Sequence, residues 1–138
     1  VDSSTFWEGD DTEFRNNNAS RGSGGAIFAA NSSTVSWDGP ANFTGNVALD
    51  GGAVALVDFG YEEAHFMDAL FIENSCSGNG GAFYVYNCVE GFNFTNVRFD
   101  SNSASGAGGA FAMYAGTDHK PATFTACSFS ENTAGGNG

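Results

Sequence analysis

Basic residues are nearly missing from this 138-residue chain: four Lys and Arg stand against 16 Asp and Glu, for a formal net charge of −12. A surface of that sign repels a phosphate backbone, so nucleic-acid binding is excluded. The acidic excess reads as solubility and as protection against sheet edges pairing with one another. No apolar run reaches the roughly 18 residues that a spanning helix needs, and no secretory leader opens the segment, so no membrane insertion is expected of it. Long runs of helix formers with apolar spacing near 3.6 are also absent, while 20 Gly and many Ser, Thr and Asn are present, which leaves strands. His65 and His119 are isolated, so no Cys/His spacing suggests zinc. The acidic groups Glu8, Asp10, Asp11, Glu13 and Glu62, Glu63, Asp68 lack the ordered ligand spacing of a Ca²⁺ loop and read as solvated charge. Neither a metal nor another cofactor is expected.

What the chain does have is a repeat. Phe14/Asn17, Phe43/Asn46, Phe71/Asn74, Phe99/Asn102 and Phe129/Asn132 recur every 28 to 30 residues. Gly24-Gly25-Ala26, Gly51-Gly52-Ala53, Gly80-Gly81-Ala82 and Gly108-Gly109-Ala110 recur every 27 to 29, and each Asn leads its Gly pair by 5 to 7. Each unit offers three short strand-like segments, clearest at Phe92 to Phe94, Val97 to Phe99 and Ala110 to Tyr114. A period near 28 with three strands joined by Gly, Asn and Ser turns is the arithmetic of an all-β, right-handed parallel β-helix of about five coils.

The repeated residues have physical work in such a coil. Equivalent strands stack about 4.8 Å apart, so the five Phe form an interior aromatic column. The five Asn pass side-chain hydrogen bonds along the solenoid and satisfy turn backbone that would otherwise be buried unpaired. Two residues on, Ala19, Ala48, Cys76, Ala104 and Ala134 form a column for small side chains only. The Gly pair supplies a positive φ or a close backbone approach at the turn into the next strand. These are structural residues.

Phe-x-x-Asn together with Gly-Gly-Ala and a following apolar residue resembles the repeat of the polymorphic outer-membrane protein family of chlamydial surface adhesins, from Phe14 to about Gly136. The resemblance implies an extracellular β-helical passenger or stalk, displayed at a surface and adhesive. Phe83 and Phe111 follow Gly-Gly-Ala where the family usually has Ile, Leu or Val, so a wider interior is expected there. No membrane-inserting barrel accompanies the repeats, and an autotransporter mechanism is not carried over. The start at Val1 and the stop within a fifth repeat signature lead to the expectation of a single segment, residues 1–138, cut from a longer solenoid, with 1–13 the tail of a preceding coil.

Four sequons, at Asn18, Asn31, Asn42 and Asn93, avoid all five ladder Asn and are candidate N-glycosylation sites. Occupied sequons would mean a secreting eukaryote and an extracellular setting. Of the three cysteines, Cys76 and Cys127 read as small buried side chains, whereas Cys88 is expected nearer a turn, where a disulfide is possible.

Right-handed β-helices of the pectate-lyase kind place Asp with Arg or Lys on one outer face. If the residue after Gly-Gly-Ala points inward, the outward columns here are Phe28, Ala55, Tyr84, Ala112 and Ala30, Val57, Tyr86, Tyr114. They hold no carboxylate and no base, so no catalytic residue is assigned and no enzyme is expected. Phe28, Val57, Tyr84, Tyr86 and Tyr114 instead form an apolar, aromatic strip on an acidic solenoid, the candidate contact face. Packing against other chains or flanking segments would make the module part of a fibre, sheath or stalk that self-assembles. The alternative is a carbohydrate-binding or cell-binding adhesin, for which only Asn31, Asp58 and Asn87 at the strand ends offer polar partners. Ice binding would need outward Thr columns, and Thr34, Thr95, Thr123 and Thr125 do not align.

Overall fold

The computed structural model describes residues 5–6, 11–31, 34–58, 63–114 and 119–138. Among them there is no helix, and 18 strands, numbered along the chain, pair only in parallel. A short pair, β1 (Thr5–Phe6) with β5 (Thr34–Val35), stands apart from three larger sheets. The first large sheet stacks β2 (Thr12–Arg15), β6 (Trp37–Thr44) and β9 (Ala64–Ile72). Its next coils are divided into β12 (Phe92–Thr95) with β13 (Arg98–Asp100), and β16 (Ala122–Thr125) with β17 (Ser128–Ser130). The second stacks two-residue strands, β3 (Asn18–Ala19), β7 (Val47–Ala48), β10 (Ser75–Cys76), β14 (Ser103–Ala104) and β18 (Thr133–Ala134). The third stacks β4 (Ile27–Ala30), β8 (Val54–Val57), β11 (Phe83–Tyr86) and β15 (Phe111–Tyr114).

The result is a right-handed parallel β-helix of about four turns, some 28 residues apart. Five strands in a column enclose four steps, which is how five repeat signatures give about four turns. One strand per unit goes beyond the three expected: the pair of residues after each ladder Asn forms a sheet of its own. Residues 1–4 and 7–10 lie outside the described residues, while Thr12 and Glu13 open β2 in the first large sheet.

Sequence repeats become spatial columns through exact register. Phe14, Phe43, Phe71, Phe99 and Phe129 stack with ring centroids 4.8, 4.6, 5.0 and 4.8 Å apart and planes within 8° of parallel. Phe43, Phe71 and Phe99 are fully buried, whereas Phe129, in the last coil, stacks on one side only and stays half-exposed. A second column joins Trp37, Phe66, Phe94 and Phe124 by strand pairing. Phe83 meets Phe66 and Phe94 edge-on at 4.9 and 5.2 Å, so the larger residue after Gly-Gly-Ala is taken into the core by T-shaped packing.

The Asn ladder satisfies every polar atom it buries. Asn74 Oδ1 accepts from Asn46 N–H at 3.0 Å and from Asn46 Nδ2 at 2.9 Å, while Asn74 Nδ2 donates to Asn102 Oδ1 at 3.0 Å and to the Phe43 carbonyl at 2.9 Å. The same pattern links Asn17 to Asn46 and Asn102 to Asn132. Just before each ladder Asn, the backbone turns through the left-handed region at Asn16, Gly45, Glu73, Ser101 and Glu131, with φ between 52° and 65°. That corner re-aims the chain into the second sheet.

The Gly pair divides two tasks that the sequence left as alternatives. Gly51 adopts φ 60°, and Gly52 packs so closely on the next coil that a Cβ there would overlap the Gly81 carbonyl oxygen. Cys88 follows β11 at the turn, as expected, yet it is buried in the core, its Sγ 3.3 Å from the Tyr86 carbonyl, and the three cysteines are free thiols. Once the chain has passed its left-handed corner at Asn87, the next residue is aimed inward.

A candidate contact face on the third sheet

The outer face of the third sheet is set by strand alternation. Ile27, Ala29, Val54, Leu56, Phe83 and Val85 point into the core and are buried. Their neighbours point out, in the register Phe28, Ala55, Tyr84, Ala112 and Ala30, Val57, Tyr86, Tyr114. Phe28, Tyr86 and Tyr114 are 46, 48 and 45% exposed, while Tyr84 and Val57 are half-buried. The structure brings the five members of the strip onto one outer surface.

Two outward alanines show how the rings lie. Ala55 and Ala112 point to solvent by strand parity, yet they are 0 and 7% exposed. Ala55 sits in register between Phe28 and Tyr84, which cover it. Tyr114 leans back along its strand: its ring is 6.0 Å from Tyr84 and its hydroxyl reaches Asn79 Oδ1 at 3.4 Å, so it spans the side chain of Ala112. Tyr84 and Tyr86 lie within 20° of parallel, centroids 6.4 Å apart. Tyr84 and Tyr114 are tilted by 55° to one another, so the three tyrosines form one contiguous aromatic platform of uneven relief.

Polar pairs border the platform at both ends. At the turn entering the third sheet, Asp50 Oδ1 accepts from Asn79 N–H at 2.8 Å and from Asn79 Nδ2 at 3.4 Å, and Asn79 Oδ1 accepts from Ala107 N–H at 2.9 Å. Burial, followed by the nearby Asp50 carboxylate, pushes the Tyr84 phenol above its ordinary pKa. Where the strands leave the sheet, Asn87 Nδ2 donates to Asp58 Oδ1 at 2.7 Å, and Asn31, Asp58 and Asn87 share the left-handed corner with φ of 50 to 58°. Asp50 and Asn79 were missed in the sequence, although Ser23, Asp50 and Asn79 immediately before three of the four Gly pairs are a readable column.

The remaining sites lie elsewhere. Asn18 and Asn31 are exposed, and Asn42 and Asn93 are half-buried on the outer face of the first sheet. Asn18 Oδ1 accepts from Ser20 N–H at 2.9 Å, and Asn93 Oδ1 accepts the Thr123 hydroxyl at 2.7 Å. A groove of about 490 Å³ follows the bend of the first sheet, lined by Asp11, Asn42, Asp68, Leu70, Asn96 and Arg98 among others. It holds no aromatic ring, and Arg98 is engaged by Asp100, whose carboxyl is kept below its ordinary pKa first by the Ser130 hydroxyl and then by Arg98. Glu8, Asp10 and Glu62 of the two acidic groups lie outside the described residues. Among those described, no three His, Cys, Asp or Glu gather to hold a metal.

With this geometry in view, the Chlamydia polymorphic membrane protein repeat is matched by residues 11–30 and 68–86. Both stretches run from a left-handed Asp, Asp11 or Asp68, through the ladder Asn and the Gly pair to the end of a third-sheet strand. They are the same piece of two different coils. The chain carries Pmp-type repeats. No curated protein and no solved structure matches the chain. Pmp-type repeats on a β-solenoid suggest a structural or adhesive module of a surface protein, and the repeat itself is not known as an enzyme.

Proposed function

We propose that this Pmp-type solenoid is a non-enzymatic, extracellular module of a cell-surface fibre, sheath or stalk, and that the outer face of the third sheet is its contact surface. The observation that carries the reading is the row of half-exposed rings, Phe28, Tyr86 and Tyr114, with Tyr84 and Val57 between them, on a chain of net charge −12. Water selects against such a row unless something covers it. The interior and the Asn ladder hold the coils rigid, so the face is presented as a pre-formed surface that loses little freedom on contact. Copies packed face to face would assemble; the same face laid on another cell's surface would adhere. N-glycans at Asn18, Asn42 or Asn93 would keep the other faces solvated, and one at Asn31 would stand at the rim of the contact face.

The double variant Tyr84→Asp with Tyr86→Asp tests this. Charging the platform is expected to abolish association, read by sedimentation and by electron microscopy of assemblies, while circular dichroism and cooperative unfolding show the β-helix retained at a somewhat lower melting temperature. Assembly unchanged in the variant would overturn the contact-face reading. A second reading, an adhesive module holding a glycan, is favoured by the polar pairs at both ends of the tyrosines.

A further inference from the structure

The contact face is not uniform along the solenoid. Its first two coils present Phe28, Ala30 and Val57, all apolar, whereas its last two present Tyr84, Tyr86 and Tyr114. Only the tyrosine half has rings with hydroxyls, one of which already shares Asn79 Oδ1. At that half's inner edge a carboxamide stands at each end of the Tyr84–Tyr86 strand, Asn79 on one side and Asn87 on the other, and each bonds a carboxylate of the preceding coil, Asp50 and Asp58. A purely protein-packing surface has no need of this border, because polar atoms closed off in a dry contact must each find a partner or weaken it.

We propose that the Tyr84, Tyr86 and Tyr114 platform binds a neutral saccharide chain. The inference rests on the contact-face reading and names its ligand. Sugar rings carry an apolar face of C–H groups and a rim of hydroxyls. The first suits a cluster of exposed tyrosine rings, with Tyr84 and Tyr86 within 20° of parallel, and the second needs side chains that both donate and accept. Asp50 and Asp58 accept from hydroxyls, and Asn79 and Asn87 do both. Charge decides the class of sugar. Two carboxylates at the borders and a net charge of −12 repel sulfated or uronic-acid polymers, and no Lys or Arg stands at the platform to reverse this. The strands stack about 4.8 Å apart, so rings on adjacent coils are spaced to meet neighbouring residues of a linear oligosaccharide, which favours a chain over a single sugar.

The experiment uses saturation-transfer NMR and calorimetry on the intact 138-residue chain. The probes are neutral hexasaccharides, namely β-1,4-linked glucose, β-1,4-linked N-acetylglucosamine and α-linked mannose, with hexagalacturonate as the anionic control. At least one neutral probe is expected to bind and the anionic control to fail. Tyr86→Ala and Tyr114→Ala should each weaken binding by about tenfold or more, and Tyr114→Phe by less, since it keeps the ring and removes only the hydroxyl. No binding by any neutral probe, or binding unchanged in Tyr86→Ala and Tyr114→Ala, would overturn the proposal; the latter would move the saccharide elsewhere, such as the first-sheet groove. If no saccharide binds but Tyr84→Asp with Tyr86→Asp still abolishes association, the partner of the face is protein and the contact-face reading survives alone. If neither effect is seen, both fail.

Discussion

Two corners of the same coil stack short polar side chains once per turn, and they use different chemistry. At the corner between the first and second sheets, every residue of the column is Asn, and Asn46, Asn74 and Asn102 are fully buried. At the corner entering the third sheet the column reads Ser23, Asp50, Asn79, Ala107, and Asp50 and Asn79 are half-exposed. A carboxamide offers two donors and two acceptor sites, so a stack of them can saturate itself in a place without water; an ionised carboxylate offers no donor and carries a charge that burial penalises. Where solvent reaches the ladder, Asp is tolerated and even Ala suffices. The strictness of a repeated position thus measures how dry it is.

The largest expected effect comes from breaking the dry ladder. Asn74→Ala leaves Asn46 N–H, one Asn46 Nδ2–H and the Phe43 carbonyl without the bonds Asn74 supplied. At roughly 1–3 kcal/mol for each orphaned buried group, a loss of about 4 kcal/mol is expected by urea unfolding. Asp50→Ala, at the wet corner, should cost about 1 kcal/mol. Equal losses would refute the comparison. Asn74→Asp sharpens it: burial raises the pKa of the new carboxyl, so its penalty should be greatest at neutral pH and shrink on acidification as the group gains a proton and with it a donor.

The Gly column gives the next contrast. At Gly52 a Cβ would overlap the Gly81 carbonyl oxygen and stand 2.7 Å from Ser75 N, while at Gly22 nothing lies within 4 Å. Gly52→Ala should therefore destabilise by about 3 kcal/mol, and Gly22→Ala by no more than about 0.5 kcal/mol in either direction, both measured as denaturant midpoints. An equal response at the two positions would show that the coils are not packed as tightly as the register implies.

Cys76 carries a smaller, pH-dependent term. Burial, then the nearby Asp50 carboxylate, pushes its thiol from the ordinary 9.0 up to about 11. The folded pKa lies above the unfolded one, so the stabilisation is complete below pH 9 and is lost as the pH rises towards 11. Stability should fall across that window by about 2–3 kcal/mol, read as a lower melting temperature, and Cys76→Ala should flatten the fall. The Tyr84 phenol, also raised, acts in the same direction, and Tyr84→Phe separates the two.

Fold and core were legible because in a solenoid sequence separation becomes spatial stacking: Phe71 and Phe99, 28 apart in sequence, are ring neighbours at 5.0 Å. Strand parity likewise placed Tyr84 and Tyr86 on the outside. What escaped were features without a residue-type signature. The two-residue strands of the second sheet, such as Ser103–Ala104, are too short to alternate visibly. The burial of Cys88 depends on a left-handed corner at Asn87, a conformation that a single Asn suggests only weakly. The polar borders of the platform needed the turn geometry that brings Asn79 to the Tyr114 hydroxyl, 35 residues away.

The smallest expected effect on stability is the one that separates structural from functional columns. Phe71 and Tyr86 are both aromatic strand residues, one fully buried and one 48% exposed. Phe71→Ala removes a ring stacked on both sides and should cost about 4 kcal/mol. Tyr86→Ala removes a ring that solvent already reaches and should shift stability by no more than about 0.5 kcal/mol, while it removes association and saccharide binding. Measured together on the two variants, denaturation and binding should be affected in opposite order. A Tyr86→Ala protein that unfolds as readily as Phe71→Ala would place Tyr86 among the packing residues of the solenoid and leave the third sheet without its contact face.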